Sequence, residues 1–340
     1  MRHDPLRPAL DVAWRSREGR PRDWSGDAPA GAAAGHDDDP LGPAVPARER
    51  RRPLFRPARG WFRRLERALS HRLSRHLYPR VPGLHLPYSR QLQRGLRVSR
   101  GAVHLCGLPA ALDGLRVLLI TDVHAGPFLR PQALARVFDR LCALDPDLVL
   151  LGGDLATSRL DEFAEHAAAF RLLRAPLGVF AVLGNHDHAT GAPARLATMV
   201  EDCGIRVLHN SAVDLERAGR RLSLAGVDDL LLGRPDLEGA LDGTRSPVVL
   251  LSHNPDVFFS AARRGVALVL AGHTHAGQIR LPGLPVLVRQ SRYRLDEGRY
   301  RLGASQLVVS RGLGAVGLPW RVACPPEAVL LTLRRDAGSA

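Results

Sequence analysis

Val179-Phe180-Ala181-Val182-Leu183-Gly184-Asn185-His186-Asp187 passes from a short apolar run straight into an amide, an imidazole and a carboxylate. A run of this length, bounded by glycine and rich in β-branched and aromatic residues, reads as a buried strand. The polar residues behind it stand where α/β sheets build their sites, at the carboxyl end of a strand. Four other stretches repeat the arrangement. Val117–Ile120 leads to Asp122 and His124, Leu148–Leu151 to Gly153-Asp154, Val248–Leu251 to Ser252-His253-Asn254, and Leu268–Leu270 to Gly272-His273-Thr274-His275. One cluster would carry little, but five in order predict a metal centre assembled at the ends of successive buried strands.

Helical stretches at Pro131–Ala143, Leu160–Arg174 and Ala194–Cys203 separate the strands, and Leu222–Ala225 reads as one more strand. After residue 280 the helical period gives way to short β-like segments punctuated by Gly and Pro: Val286–Val288, Leu307–Ser310 and Ala328–Leu333. A mixed sheet finished by a β-rich C-terminal half predicts two sheets face to face with helices outside. The expected fold class is therefore α/β, a four-layer αββα sandwich of two mixed β-sheets flanked by helices, over residues 97–335.

The chain has 340 residues and a formal net charge of +14, unevenly spread. Residues 1–100 hold 22 arginines against 10 acidic residues, and the other 240 hold 26 against 24. Every basic residue is Arg, which a GC-rich genome explains more simply than guanidinium-specific binding. Residues 1–58 are rich in Pro, Ala, Gly, Asp and Arg without periodicity, so they are expected to be disordered. Residues 59–80 differ. Trp61, Leu65, Leu69, Leu73 and Leu77 recur every four residues, with Arg63, Arg64, Arg67, Arg72 and Arg75 between them, a basic amphipathic helix halted by Pro79 and Pro82. Such a stripe more often docks on its own domain or a partner; the competing reading is peripheral contact of Trp61–Tyr78 with an anionic membrane surface. No nucleic-acid-binding module is visible, and basic charge alone confers only nonspecific attraction, so no specific nucleic-acid binding is expected.

No run of about 18 apolar residues is present, so no bilayer-spanning helix is expected. Arg51-Arg52-Pro53-Leu54-Phe55 is followed by Trp61-Phe62-Arg63-Arg64 rather than by the apolar segment an export signal needs. Cys106, Cys142, Cys203 and Cys324 form no CxxC pair, which suits a reducing compartment or buried thiols. The expectation is a cytoplasmic protein, with peripheral attachment at the inner face of the membrane if the helix binds lipid.

The residue types set the chemistry. Asp122 and His124 are two apart, so an extended backbone points them to the same side. Asp154 follows two glycines that permit close approach, and its carboxylate can bridge two cations. Asn185 offers an amide oxygen, and His253, His273 and His275 offer imidazole nitrogens. This mixed set suits Mn²⁺, Fe or Zn²⁺ better than Ca²⁺. Two cations about 3.5–4 Å apart clamp the oxygens of an in-line displacement at phosphorus and make hydroxide available near neutral pH. Other residues carry less. His188 could touch substrate but reads more simply as a solvated loop residue, Asp228 and Asp229 suggest a further metal site or, equally well, a turn, Arg311 is a weak phosphate-contact candidate, and Cys203 and Cys324 read as structural.

The ordered set D-x-H, G-D, G-N-H-D, S-H-N and G-H-T-H resembles the calcineurin-like metallophosphoesterase superfamily. The longer strings Val182–Asp187, Leu251–Asp256 and Gly272–Gln278 resemble its bacterial branch of YkuE- and YaeI-like phosphodiesterases, often membrane-associated. The resemblance runs from about residue 100 to 335 and includes Ser310-Arg311-Gly312-Leu313-Gly314. It implies two divalent metal ions, one bound by Asp122, His124, Asp154 and His275, the other by Asp154, Asn185, His253 and His273. It further implies that His186 is no ligand but faces the phosphate and protonates the leaving oxygen, with Asp187 holding its ring. The implied activity is a binuclear metal-dependent phosphoester hydrolase, a phosphodiesterase in which a metal-bridging hydroxide attacks phosphorus. The phosphoester substrate, lipid-like or nucleotide, stays open. Two rival readings remain: a non-catalytic interaction scaffold on the same fold, which would be expected to have lost ligands, and a nuclease using the basic N-terminal arm.

Overall fold

Side chains alternate in direction along a strand, and in this chain the alternation divides each apolar run between two cores. In the computed structural model, residues 38–40, 45–46, 72–280 and 289–336 are described. Their strands, in chain order, are β1 (Asp38–Pro40), β2 (Val45–Pro46), β3 (Arg97–Leu105), β4 (Arg116–Ile120), β5 (Leu148–Gly152), β6 (Val179–Val182), β7 (Arg206–Val207), β8 (Ser211–Arg217), β9 (Arg220–Gly226), β10 (Val248–Leu251), β11 (Leu268–Ala271), β12 (Gly298–Leu302), β13 (Ser305–Val309) and β14 (Glu327–Arg335). They form two sheets, ordered β1-β3-β14-β4-β5-β6-β7 and β2-β12-β13-β11-β10-β9-β8. In the first, β4 to β7 run parallel and β14 lies antiparallel to β4. In the second, β9, β10, β11 and β13 run parallel, with β8 and β12 antiparallel at the flanks. Both sheets are mixed, and six strands of each come from residue 97 onward.

Val117, Leu119, Leu148, Leu150, Val249, Leu251, Leu268 and Leu270 point into the core between the sheets. Their neighbours Leu118, Ile120, Val149 and Leu151 face the helices Pro131–Cys142 and Leu160–Phe170, where Phe138, Phe163 and Phe170 fill the space. On the other outer face, Val248, Leu250, Val269 and Ala271 meet the helix Phe258–Ala262. The expected four-layer order is the order found. Strands buried on both faces read as continuous apolar runs, which is why the sequence marks them so plainly.

Several expectations change. Of the segment 1–58 only β1 and β2 are described, as short strands pairing with β3 and β12; the rest of that segment lies outside the described residues. The amphipathic helix expected over 59–80 is described only from Arg72: Leu73–Leu77 is helical, and a 3-10 turn at Tyr78–Arg80 carries Pro79. The strand expected at Val286–Val288 also lies outside the described residues. The helix His85–Gly95 and the strands β3, β8 and β12 were not anticipated.

The helix Leu160–Phe170 starts on its own carboxylate. Glu162 Oε2 accepts from the backbone amides of Ser158 at 2.7 Å and Arg159 at 2.9 Å, fixing the loop after β5, while its buried Oε1 meets no hydrogen-bond partner among the described residues. Burial pushes this carboxyl up to about 7, against the pull of those amides. The folded chain thus keeps a proton that the unfolded chain releases near 4.5, so this group removes about 3 kcal/mol of stability as pH rises from about 4.5 to about 7. Glu162→Gln retains an accepting oxygen and removes the titration. Its urea-unfolding free energy should decline less between those pH values than that of the wild type, and parallel slopes would contradict the assignment. Leu119, fully buried between the sheets, supplies a second check. Leu119→Ala should lower the unfolding free energy by about 3 kcal/mol through lost transfer energy and a residual cavity, and a loss under about 1 kcal/mol would show that the sheets do not close tightly there.

Candidate metal centre

Each of the five polar clusters lies in the turn that leaves a strand. Five of their residues hold backbone conformations that only glycine adopts without strain: φ is 52° at Asp122, 47° at His124, 53° at Asp154, 72° at His273 and 50° at His275. Each costs about 1–2 kcal/mol and persists only where neighbours over-determine it. Those neighbours are visible. The Asp122 and His124 amides donate to the Gly153 and Asp154 carbonyls, both at 2.9 Å. The His273 amide donates to both oxygens of Asp122, at 3.1 and 3.0 Å. Gly184 makes room for the assembly, since a Cβ there would lie 2.3 Å from Asp154 Oδ1.

The turns bring all seven expected ligand residues together, six of them buried and Asn185 half-buried. The donor atoms of Asp122, His124, Asp154 and His275 form one cluster and those of Asp154, His253 and His273 a second, each within 4.8 Å. His124 Nε2 lies 3.0 Å from His275 Nε2 and 3.6 Å from Asp154 Oδ2. His253 Nε2 lies 3.2 Å from that same Asp154 oxygen, 3.2 Å from Asn185 Oδ1 and 3.1 Å from His273 Nδ1. Two donors held about 2.1 Å from one cation stand roughly 3.0–3.4 Å apart, and every spacing but the wider one from His124 to Asp154 falls in that window. His253 Nδ1 donates to the Gly152 carbonyl at 2.8 Å, which leaves Nε2 as the nitrogen available to a cation.

The electrostatics agree with a site for positive charge. Burial, reinforced by the nearby His186 imidazole, drives His124 down to about 3. Burial, with the neighbouring His124 imidazole and the Arg321 guanidinium, holds His275 well below the usual imidazole range, so both rings are neutral. Burial pushes Asp122 up. At Asp154 burial acts in the same direction, but the imidazoles of His253 and His186 outweigh it and hold the carboxyl low.

Four readings are corrected, at Asp154, Asp187, Arg311 and His188. Asp154 was expected to bridge through its two oxygens. Its Oδ1 instead accepts from the His186 amide at 2.7 Å, and Oδ2 alone faces both clusters. Asp187 was expected to hold the His186 ring. Its carboxylate accepts from the Gly184 and Ala156 amides, both at 2.9 Å, and His186 Nδ1 meets the Thr157 carbonyl at 2.6 Å. Asp187 therefore caps the turn Asn185–Ala189 while a backbone carbonyl orients the ring, which stands edge-on to His124 with centroids 4.8 Å apart. Arg311, considered for phosphate, is engaged by Glu297 and Glu327.

His188 is not a solvated loop residue, because its Nε2 meets Asp228 Oδ1 at 2.7 Å. That hydrogen bond raises His188, and it helps hold Asp228 down at about 2 despite burial. Asp228 and Asp229 otherwise brace the turn after β9 through the amides of Leu231, Leu232 and Arg234. Cys203 and Cys324 are buried free thiols, with Cys324 Sγ donating to the His275 carbonyl at 3.1 Å.

Sequence reasoning missed Thr157 and Arg321. Thr157 acts through its backbone, which no residue type announces. Arg321 is buried, lies 3.0 Å from His275 Nδ1 through its Nη2, and donates to the Gly314 and Arg311 carbonyls. It is the single charged residue between Leu313 and Cys324, and that isolation was a readable signal.

Comparison with known proteins agrees with this geometry. Residues 115–277 match the family described as calcineurin-like phosphoesterase. The chain is 34% identical over 234 residues to the uncharacterized metallophosphoesterase YkuE of Bacillus subtilis, covering 67% of this chain and 82% of that one. Over 251 residues it is 31% identical to an uncharacterized metallophosphoesterase of Aquifex aeolicus, covering 70% and 92%. A Danio rerio protein named as a transmembrane protein with metallophosphoesterase domain is 34% identical over 244 residues, and the match spans only 55% of its length. Among the described residues no helix is long and apolar enough to cross a membrane.

Proposed function

This chain belongs to the calcineurin-like phosphoesterase family, a family of phosphoester hydrolases, and from that membership we propose that it is a binuclear metal-dependent phosphodiesterase. The observation that carries the reading is Asp154 Oδ2, which lies between His124 Nε2 at 3.6 Å and His253 Nε2 at 3.2 Å and so joins two donor clusters through one atom. In this reading Asp122, His124, Asp154 and His275 hold one divalent ion, and Asp154, Asn185, His253 and His273 hold the other. Mn²⁺, Fe and Zn²⁺ all suit the donor set. Cations so held acidify water and neutralise charge building on the phosphoryl oxygens.

The chain's own residues do the rest. With its Nδ1 on the Thr157 carbonyl, His186 keeps Nε2 for the substrate, where it stabilises the phosphoryl group and gives a proton to the departing oxygen. Asp187 keeps that ring in place indirectly, by capping the turn that also carries Asn185. A scaffold without catalysis has no need of this intact set of donors and strained turns. The substrate class in this reading is a phosphodiester, lipid-like or nucleotide. For location the reading is a cytoplasmic protein, in peripheral contact with the inner membrane face if the basic amphipathic sequence Trp61–Tyr78 binds lipid.

Two substitutions separate the roles. His186→Ala should keep nearly all its metal by elemental analysis yet turn over bis(4-nitrophenyl) phosphate about 100-fold more slowly; undiminished turnover would remove His186 from the chemistry. Asp154→Asn should lose metal itself, and full occupancy in that variant would refute the shared-oxygen role.

A further inference from the structure

Large apolar side chains stand in solvent in one region of this protein. Among the described residues they are Leu77, Val81, Leu86, Leu318, Trp320 and Val322, with Leu232 alone elsewhere. Scattered exposed apolar residues are ordinary, whereas a concentration marks an interaction site. The loop that carries three of them inverts the usual pattern. Leu318, Trp320 and Val322 are 47%, 50% and 44% exposed, while Arg321 between them is 3% exposed and reaches inward to His275.

Nothing about this loop is loosely held. Gln278 Nε2 donates to the Val316 and Leu318 carbonyls at 2.9 and 3.2 Å. Gln91 accepts from the Arg321 amide at 2.9 Å and donates to its carbonyl at 2.6 Å, and the Tyr78 hydroxyl donates to the Gly317 carbonyl. Those bonds set the segment 72–95, with Leu77, Val81 and Leu86, beside the loop. Each of these side chains is about a third to a half exposed, so covering the remainder would recover only part of the about 1.5–3 kcal/mol that full burial of such a side chain provides.

Charge selects the occupant. Residues 72–100 contain seven arginines and no acidic residue, and residues 311–326 contain two arginines and none. On the side of residues 280–297 the carboxylates of Asp296 and Glu297 are paired with Arg289, Arg280 and Arg311. Apolar anchors on two segments whose charged residues are all arginine match an anionic bilayer, where the side chains enter the acyl boundary and the guanidinium groups meet headgroup phosphates. We propose that Leu318, Trp320 and Val322, together with Leu77, Val81 and Leu86, form a docking surface for an anionic phospholipid bilayer, placed one residue from the arginine that touches the metal centre. The surface stands on its own observations; only its use, bringing headgroup phosphoesters to the centre, rests on the hydrolase reading.

The test compares the full chain with Leu318→Ser/Trp320→Ser/Val322→Ser, both carrying the same N-terminal segment. Each is sedimented with vesicles of phosphatidylcholine and of phosphatidylcholine with added phosphatidylglycerol. The wild type should sediment with the second only, and the triple variant should partition at least about tenfold less while hydrolysing soluble bis(4-nitrophenyl) phosphate at the wild-type rate with Mn²⁺. Leu318→Glu/Val322→Glu, which leaves Trp320 and Arg321 untouched, repeats the comparison should the triple variant unfold. Equal sedimentation of wild type and variants, equal binding to both vesicles, or no binding by the wild type would each overturn the surface. If the wild type binds anionic vesicles but leaves the soluble diester intact, the phosphodiesterase reading falls and the docking surface stands.

Discussion

Everything at this centre turns on the placement of one carboxylate. Asp154 is buried, and its two oxygens face different tasks: Oδ1 takes the His186 amide at 2.7 Å, and Oδ2 stands within 3.6 Å of imidazoles from two donor clusters. That division requires the β5 turn to enter the left-handed region at Asp154 and the β6 turn to come close enough that only a glycine fits at position 184. A carboxylate confined on one side by a backbone amide has little rotational freedom left, which is how a protein fixes a polar atom without a rigid side chain.

The same economy of motion runs through the neighbouring turns. The strained φ values are held by hydrogen bonds from neighbouring turns: the Asp122 and His124 amides on the Gly153 and Asp154 carbonyls, the His273 amide on the Asp122 carboxylate, and the His275 carbonyl under the Gln278 amide and the Cys324 thiol. The strands that carry those turns are themselves fixed by two hydrophobic cores, one between the sheets and one beneath the helices. Packing energy far from the chemistry therefore sustains a local geometry that would relax in isolation.

What was legible in the sequence follows from the same physics. β4, β5, β6, β10 and β11 are buried on both faces, and their unbroken apolar runs made them readable, as did the ligand-type residues at their ends. β8 and β12 are largely open to solvent on the burial pattern of their residues, so no apolar period marks them, and β3 hides behind Arg97, Arg100 and His104. The helix His85–Gly95 carries a proline in its first turn and closes on a glycine, composition that reads as a loop. Within the site, residue types announced which side chains would meet. They did not announce that Asp154 would serve both clusters with one oxygen, that a backbone carbonyl at Thr157 would aim His186, or that Arg321 would arrive from 46 positions downstream to reach His275. Those facts belong to main-chain groups and to long-range folding, which a residue string does not display.

The donors come from both sheets: Asp122, His124, Asp154 and Asn185 follow strands of the first, and His253, His273 and His275 follow strands of the second. A chain emerging from the ribosome therefore lacks the second cluster until residue 273 is out, the first until residue 275 is out, and both until the two sheets have closed on each other. Reactivity is withheld from every partly made or partly folded form, and a cation that settles in the finished site rivets the two layers together as it does so.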